Sequence, residues 1–212
     1  VKSFSFFSNY LFSQKCLGCG KKGAYFCSSC LRKIKVLGPQ FSLKEPPLDL
    51  FFSIFAYEGL IRKALLKIKY KFVFDLVNEL ADLAFRSFGQ NLSEYSNCLV
   101  LVPVPLYWYR QNWRGFNQTE ALGKKIAQKL KIGFCSNLLL RIRSTKPQVK
   151  LKGKQRKMNV KGAFKLNPKY HQFRNDFLLF DDVWTTGETM KECARVLKKA
   201  GAKKVFGLTL AR

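Results

Sequence analysis

The stretch Phe177-Leu-Leu-Phe-Asp-Asp-Val-Trp-Thr-Thr-Gly-Glu-Thr189 constrains this chain more than any other. Its four apolar residues read as a strand buried on both faces, the kind that parallel sheets contain. The strand ends in two adjacent acids, Asp181 and Asp182, turns through Thr185, Thr186 and Gly187, and opens a helix carrying Met190, Cys193, Ala194 and Leu197. Unpaired N–H groups and the dipole at a helix N-terminus suit a dianionic phosphate, and threonine hydroxyls add donors. Gly187 lets the backbone approach such a group closely. The two acids would repel a phosphate, so they are read as acceptors for two sugar hydroxyls at the strand's carboxyl end. The combination asks for a ribose 5-phosphate; the plain alternative is an N-cap threonine beside surface acids. Trp184 is bulky for such a loop and either stacks on a base or packs under the turn.

The flanking segments supply the rest of an α/β pattern. Phe51 to Tyr57 reads as a strand, as do Cys98 to Val102, ended by Pro103-Val104-Pro105, and Val205 to Leu210. Helical spacing runs over 59–86 with a break near residue 70, over 118–131, and from Gly187 to Ala200, with Gly201 as its stop. Strands alternating with helices argue for a parallel sheet flanked by helices with right-handed crossovers. Pro39 and Pro46-Pro47 mark a linker. The expected organisation is a small module at 1–40 and one α/β domain at 41–212, without internal repeats.

The module is defined by its cysteines. Cys16-Leu-Gly-Cys19 and Cys27-Ser-Ser-Cys30 form two CxxC knuckles seven residues apart. Four thiolates so spaced satisfy a closed tetrahedral zinc site, which holds together a segment too small for its own core. Such a site has no open coordination position, so its expected role is structural. The alternative is a pair of disulfides or redox knuckles, disfavoured if the chain resides in a reducing cytoplasm. That location is the expectation, because Val1 to Phe12 is aromatic but lacks a cationic flank and a small-residue cleavage site. No 18-residue apolar run free of charges suggests a membrane span. Cys98, Cys135 and Cys193 are expected in the core.

Charge is unevenly spread. Lys+Arg 39 against Asp+Glu 13 leaves +26, which makes polyanions natural partners. Residues 1–40 carry seven bases and no acid, and residues 141–174 carry twelve bases and no acid. The latter segment reads as a mobile basic loop or hairpin rather than core. The single histidine, His171, excludes an HExxH zinc hydrolase and is read as a solvated loop imidazole.

FLLFDDVWTTGET resembles the signature of type I phosphoribosyltransferases, which use phosphoribosyl pyrophosphate (PRPP). Further segments narrow the resemblance to the ComF family. These are the CxxC pair, Pro103-Val-Pro-Leu106, Arg114-Gly-Phe-Asn-Gln118, Arg141-Ile-Arg-Ser-Thr-Lys-Pro-Gln148 and Arg156-Lys-Met-Asn-Val-Lys-Gly-Ala-Phe164. Tyr57-Glu-Gly59 with Lys69-Tyr70 is also similar to that family.

The resemblance implies a type I phosphoribosyltransferase-like sheet behind a zinc-binding module. Asp181 and Asp182 would hold the ribose hydroxyls, and Thr185, Thr186, Gly187, Glu188 and Thr189 the 5-phosphate. The loop after Pro103 and Val104 would face the pyrophosphate, with Arg114 as an electrostatic clamp. Mg²⁺ would come with PRPP, held by its oxygens and water. Residues 141–174 take the place of a hood, in which Arg141, Arg143, Thr145, Gln148, Lys150, Lys152, Lys154 and Arg156 are candidate nucleic-acid or hood contacts. Tyr107, Trp108, Tyr109 and Trp113 are available for base stacking or hood packing. ComF proteins are associated with natural competence. The implied partners are therefore PRPP, internalised single-stranded DNA, the DNA-uptake machinery and, peripherally, the inner face of the membrane. Two classes of function stay open: pentosyl transfer from PRPP, and nucleic-acid handling in which the PRPP site is a sensor or relic. The alternative is a phosphoribosyltransferase of nucleotide or nucleobase metabolism with no direct nucleic-acid role.

Overall fold

Short apolar runs rich in Phe, Leu and Val build one parallel sheet. Its strands are β1 (Leu50–Phe55), β2 (Leu99–Pro103), β3 (Gly133–Phe134), β6 (Asp176–Val183) and β7 (Val205–Ala211), ordered β1-β7-β6-β2-β3. A separate antiparallel pair joins β4 (Leu139–Arg141) to β5 (Phe164–Leu166). The helices are α1 (Ser28–Leu31), α2 (Gly59–Lys71), α3 (Phe74–Ser93), α4 (Gln118–Leu130), α5 (Gly153–Val160) and α6 (Glu188–Lys199). This computed structural model describes residues 14–38, 45–71, 73–93, 99–107, 117–145, 153–171 and 175–212.

Alternation along each strand divides the core in two. Phe52, Ile54, Leu101, Leu178, Phe180 and Leu208 face α2, α3 and α4, whereas Phe51, Val102, Leu179 and Val205 face α6. The central strands are covered on both sides, which is why Leu178 to Phe180 read as an unbroken apolar run. Closeness is set by small residues at the crossings. A Cβ on Gly123 of α4 would lie 3.0 Å from Leu101 and 3.1 Å from Phe180.

Most elements agree with the sequence reading. The expected helical break near residue 70 falls between α2 and α3, and α4 and α6 begin and end within a residue of expectation. Asn117 caps α4, its Oδ1 accepting from the Thr119 N–H at 3.1 Å, and α6 stops before Gly201 at φ 95°.

The basic segment is more structured than a loop. It holds α5 between β4 and β5, and its Val160, Ala163 and Phe164 are buried in the α6-side core. Gly162, at φ 67°, makes the turn out of α5, and its N–H donates to Glu192 Oε1 of α6 at 2.8 Å. Three buried apolar side chains and one buried acceptor thus attach a strongly charged segment to the sheet. No helix among the described residues is long and apolar enough to cross a membrane.

Candidate ligand site and cysteine centre

Strands β2 and β6 are neighbours, but their chains leave in opposite directions. β2 is followed by α4 on one face and β6 by α6 on the other. A crevice opens at the carboxyl ends of two such strands, and ligands of open α/β sheets bind there. Asp181 and Asp182 lie at this point. Ladder bonds hold the strand on its β2 side as far as Phe180, whose carbonyl accepts from Val104 N–H at 2.8 Å, and on its β7 side past its end, where Trp184 N–H donates to Ala211 O at 2.8 Å.

Both acids are half-buried and tied to α4. Gln118 Nε2 donates to Asp182 Oδ2 at 3.3 Å, and Asp181 Oδ1 accepts from the Asp182 N–H at 2.8 Å and from Thr119 Oγ1 at 3.5 Å. Burial, and then the adjacent charge of Asp182, push Asp181 up to about 8; the Asp182 N–H and the positive charge of Lys69 act the other way. Such a carboxyl gains from any ligand that brings donors to its charged form.

Beyond the acids the chain turns into α6 through Thr185, Thr186 and Gly187. Gly187 sits at φ 73° as the N-cap, with no side chain capping the helix. A Cβ there would lie 2.1 Å from Trp184 Cζ2, so the tryptophan ring occupies the space under the turn. The ring is buried and stacks on Phe51 at 3.8 Å between centroids. Trp184 therefore packs beneath the loop. Together with Trp184 itself, Asp181, Thr185, Gly187, Thr189 and Thr209 line a small cleft. Thr186 Oγ1 and Glu188 Oε2 are buried without a hydrogen-bond partner. The start of this twelve-residue helix, with no side chain capping it and an orphaned hydroxyl beside it, is a geometry that can receive an anion.

The other expected residues divide into three sets. Pro103 and Val104 are buried at the crevice, beside Phe180. Arg141, Arg143 and Thr145 are engaged within the hairpin. Arg141 donates to Thr145 Oγ1 and lies over the Phe164 ring, while Arg143 Nη2 donates to the backbone carbonyls of Asn159 and Lys161 at 3.1 and 2.8 Å. Arg143 thus satisfies carbonyls at the end of α5. Arg114, Gln148, Lys150, Lys152, Trp108, Tyr109, Trp113 and Cys98 lie outside the described residues. Lys154 and Arg156 are described only as positions of α5. Sequence reasoning missed the part played by Gln118 and Thr119, although the Asn117 cap just before them marks a helix start at the crevice.

The four knuckle cysteines converge. The sulphurs of Cys16, Cys19, Cys27 and Cys30 all lie within 4.8 Å of one another, and those of Cys19 and Cys27 are 3.6 Å apart. Zn–S bonds of about 2.3 Å in a tetrahedron place sulphurs about 3.8 Å apart, so the cluster fits zinc. Hydrogen bonding from Cys27 and burial push Cys30 up to about 12, whereas the Ser29 hydroxyl and the Cys30 N–H bring Cys27 down to about 6. Full ionisation of all four calls for a cation.

The module is bonded into the main core. Tyr25 N–H donates to Glu79 Oε2 of α3 at 3.2 Å, Lys63 of α2 donates to Leu17 O at 3.2 Å, and Tyr25 and Phe26 join the α2–α3 core. A Cβ on Gly18 would sit 2.7 Å from Cys30 Sγ and 3.3 Å from Leu60 of α2, so the knuckle rests directly on that helix.

No family model matches the chain. Competence protein F of Haemophilus influenzae is 30% identical over 209 residues, covering 93% of this chain and 84% of that protein. The chain belongs to the ComF family. This ComF chain is also 31% identical over 205 residues to the DNA utilization protein YhgH of Salmonella typhimurium, covering 93% of this chain and 83% of that one. Competence protein ComFC of Bacillus subtilis is 29% identical over 170 residues, covering 76% of this chain and 63% of that one. A solved structure of the allosteric regulatory enzyme of purine biosynthesis superposes with a TM-score of 0.40 at 16% identity, over 68% of this chain and 29% of that chain.

Two outcomes are expected of this arrangement. The ComF chain should carry about one zinc per molecule by elemental analysis. Cys19→Ser should lose most of it, and chelation should lower the unfolding midpoint. The second concerns pH. Asp181 titrates near 8 when folded against an ordinary value of 3.8, so between those values the folded chain holds a proton that the unfolded chain has released. Stability therefore falls as pH rises through that window. Asp181→Asn should flatten the fall, as read by urea unfolding at pH 5 and pH 8.

Proposed function

We propose that this ComF chain binds Mg²⁺–PRPP at the carboxyl end of β6 and acts in DNA uptake, on internalised single strands at the cytoplasmic side of the membrane. The observation that carries the reading is the pairing of two half-buried acids with an uncapped helix N-terminus across one short loop at the sheet's switch point. Asp181 and Asp182 accept from the ribose hydroxyls. Thr185, Thr186, Thr189 and the N–H groups after Gly187 receive the 5-phosphate. Pro103 and Val104 border the pyrophosphate side, where Arg114 is the proposed clamp.

The reaction open to such a site is displacement at the ribose C1 carbon, with pyrophosphate leaving through an oxocarbenium-like state. It needs little from a general base, which suits a chain with one histidine. Mg²⁺ bound to the pyrophosphate would neutralise charge on the departing group. The chain's own share is to hold the ribose at two points, fix the phosphate end and close a basic hood that excludes water. Transfer to an acceptor and sensing of PRPP use the same contacts, and pyrophosphate release tells them apart.

Two features support the nucleic-acid side. The names borne by the relatives refer to competence and DNA utilization. The 141–174 segment presents Lys161 and Lys165 to solvent, together with the exposed apolar Ile142 and Met158. Cations interleaved with apolar side chains suit a strand whose phosphates are neutralised while its bases stack. The four-cysteine module is read as the structural domain at 1–40, and 41–212 as the PRPP-binding domain.

Calorimetric titration with Mg²⁺–PRPP should give saturable binding that the double change Asp181→Asn, Asp182→Asn abolishes. Unchanged affinity in that variant would remove the acids from the site. Single-stranded DNA should bind at low salt and weaken steeply as salt rises, at least tenfold between about 50 and 200 mM. A salt-independent or absent interaction would leave the nucleotide-metabolism reading. Repeating the PRPP titration with and without DNA, while assaying pyrophosphate, separates enzyme from sensor.

A further inference from the structure

A row of polar side chains crosses three strands beneath the phosphate loop. Register pairs Ser53 of β1 with Thr209 of β7, and Thr209 with Asp181 of β6. Paired residues of parallel strands project from the same face, on strands about 4.8 Å apart. Ser53, Thr209 and Asp181 therefore stand side by side. Ser53 is 1% exposed and Thr209 0% exposed, and neither hydroxyl has a hydrogen-bond partner. Their neighbours along these strands, Phe51, Leu179 and Val205, are apolar core residues. Two adjacent unsatisfied hydroxyls in such a place are costly, and native interiors rarely keep one without a use for it. Thr209 also lines the cleft together with Asp181, Thr185, Gly187 and Thr189, so its orphaned oxygen adjoins the loop.

We propose that Thr209, backed by Ser53, is a positioning residue of this site: its hydroxyl is held in reserve for the Asp181 carboxylate in its charged form. The charged form is the one that accepts from a ligand hydroxyl on one oxygen while needing donors on the other. Oδ1 already takes the Asp182 N–H and, at longer reach, Thr119 Oγ1. Thr209 is the neighbouring hydroxyl on the β7 side. A turn of its χ1, or one water bridging the row, completes Ser53→Thr209→Asp181 as a line of donors. Hydrogen bonds to a charged carboxylate favour that form, so the row offsets what burial and Asp182 do to Asp181. The other titratable groups facing Asp181 are Asp182 on its own strand, Lys69 from α2 and the buried Cys193 thiol from α6. From β1 and β7 the row contributes hydroxyls only.

The inference rests on the PRPP reading for its purpose but not for its test. Carboxyl ¹³C NMR of the ligand-free full chain, with Asp181 assigned by its loss in Asp181→Asn, reads the ionisation directly. Thr209→Val should raise the Asp181 midpoint by about one pH unit. Thr209→Ser should restore it, and Ser53→Ala should raise it by less. An unmoved midpoint in a folded Thr209→Val protein overturns the proposal. If that variant does not fold, Ser53→Ala decides in the same way. Mg²⁺–PRPP titrations are then run across pH. Affinity in Thr209→Val should drop about tenfold at pH 7 and converge with the parent above pH 9, as a shifted ionisation requires. A midpoint that moves in a chain that binds no PRPP supports the row and overturns the ligand; PRPP binding with an unmoved midpoint does the reverse.

Discussion

The ladder that grips β6 from both sides is what the site depends on. Hydrogen bonds to β2 run as far as Phe180, where Val104 N–H donates, and those to β7 continue past the acids to Trp184 and Ala211. The backbone of Asp181 and Asp182 is therefore not a loop that settles on a ligand, but the end of a rigid element. The strand keeps two acidic groups adjacent, and together with burial that adjacency pushes Asp181 up to about 8. Gln118 and Thr119, brought up by the capped start of α4, donate to Asp182 and Asp181. The loop is supported from below in the same manner, since the Trp184 ring on Phe51 leaves Gly187 no latitude to sink or to acquire a side chain.

The cysteine module and the basic segment are attached to this frame by different physics. The module is joined through a backbone donor and buried aromatics to α2 and α3, so the cysteine cluster and the main core are one packing problem. The basic segment is joined mainly through Gly162 and Glu192, and through Val160, Ala163 and Phe164 against α6. Among the described residues, Val160, Ala163 and Phe164 are inserted while Lys161, Lys165 and Lys169 are exposed. Arg143, a residue expected to meet nucleic acid, donates to two backbone oxygens at the end of α5.

Legibility of the fold in the sequence followed burial. Strand β6, α6 and the break between α2 and α3 are plain because four or more apolar residues recur there at one period. Strands β3, β4 and β5 are two or three residues long, too short for any period, and α5 (GKQRKMNV) has almost no apolar face. The acids and the threonine loop stand out because polar residues interrupt an apolar run at its end. Thr209 does not, since a single threonine inside VFGLTLA looks like an ordinary β-former, and only its register with Ser53 and Asp181 distinguishes it. The orientation of Trp184 was equally hidden, being decided by Phe51 from a distant strand.

The short segment after α1 has a further consequence. Leu37 N–H donates to Ile54 O at 2.8 Å, Ala56 N–H to Lys35 O at 3.0 Å, and Val36 bridges Phe55 antiparallel. This strip lies along β1, an outermost strand of the sheet and rich in phenylalanine. Unpaired outer strands of that composition are templates for intermolecular pairing. The cysteine-bound segment therefore also serves as a guard rail for the sheet. Loosening of the four-cysteine cluster would free this strip and expose β1, with aggregation as the expected first symptom, ahead of any change at the β6 crevice.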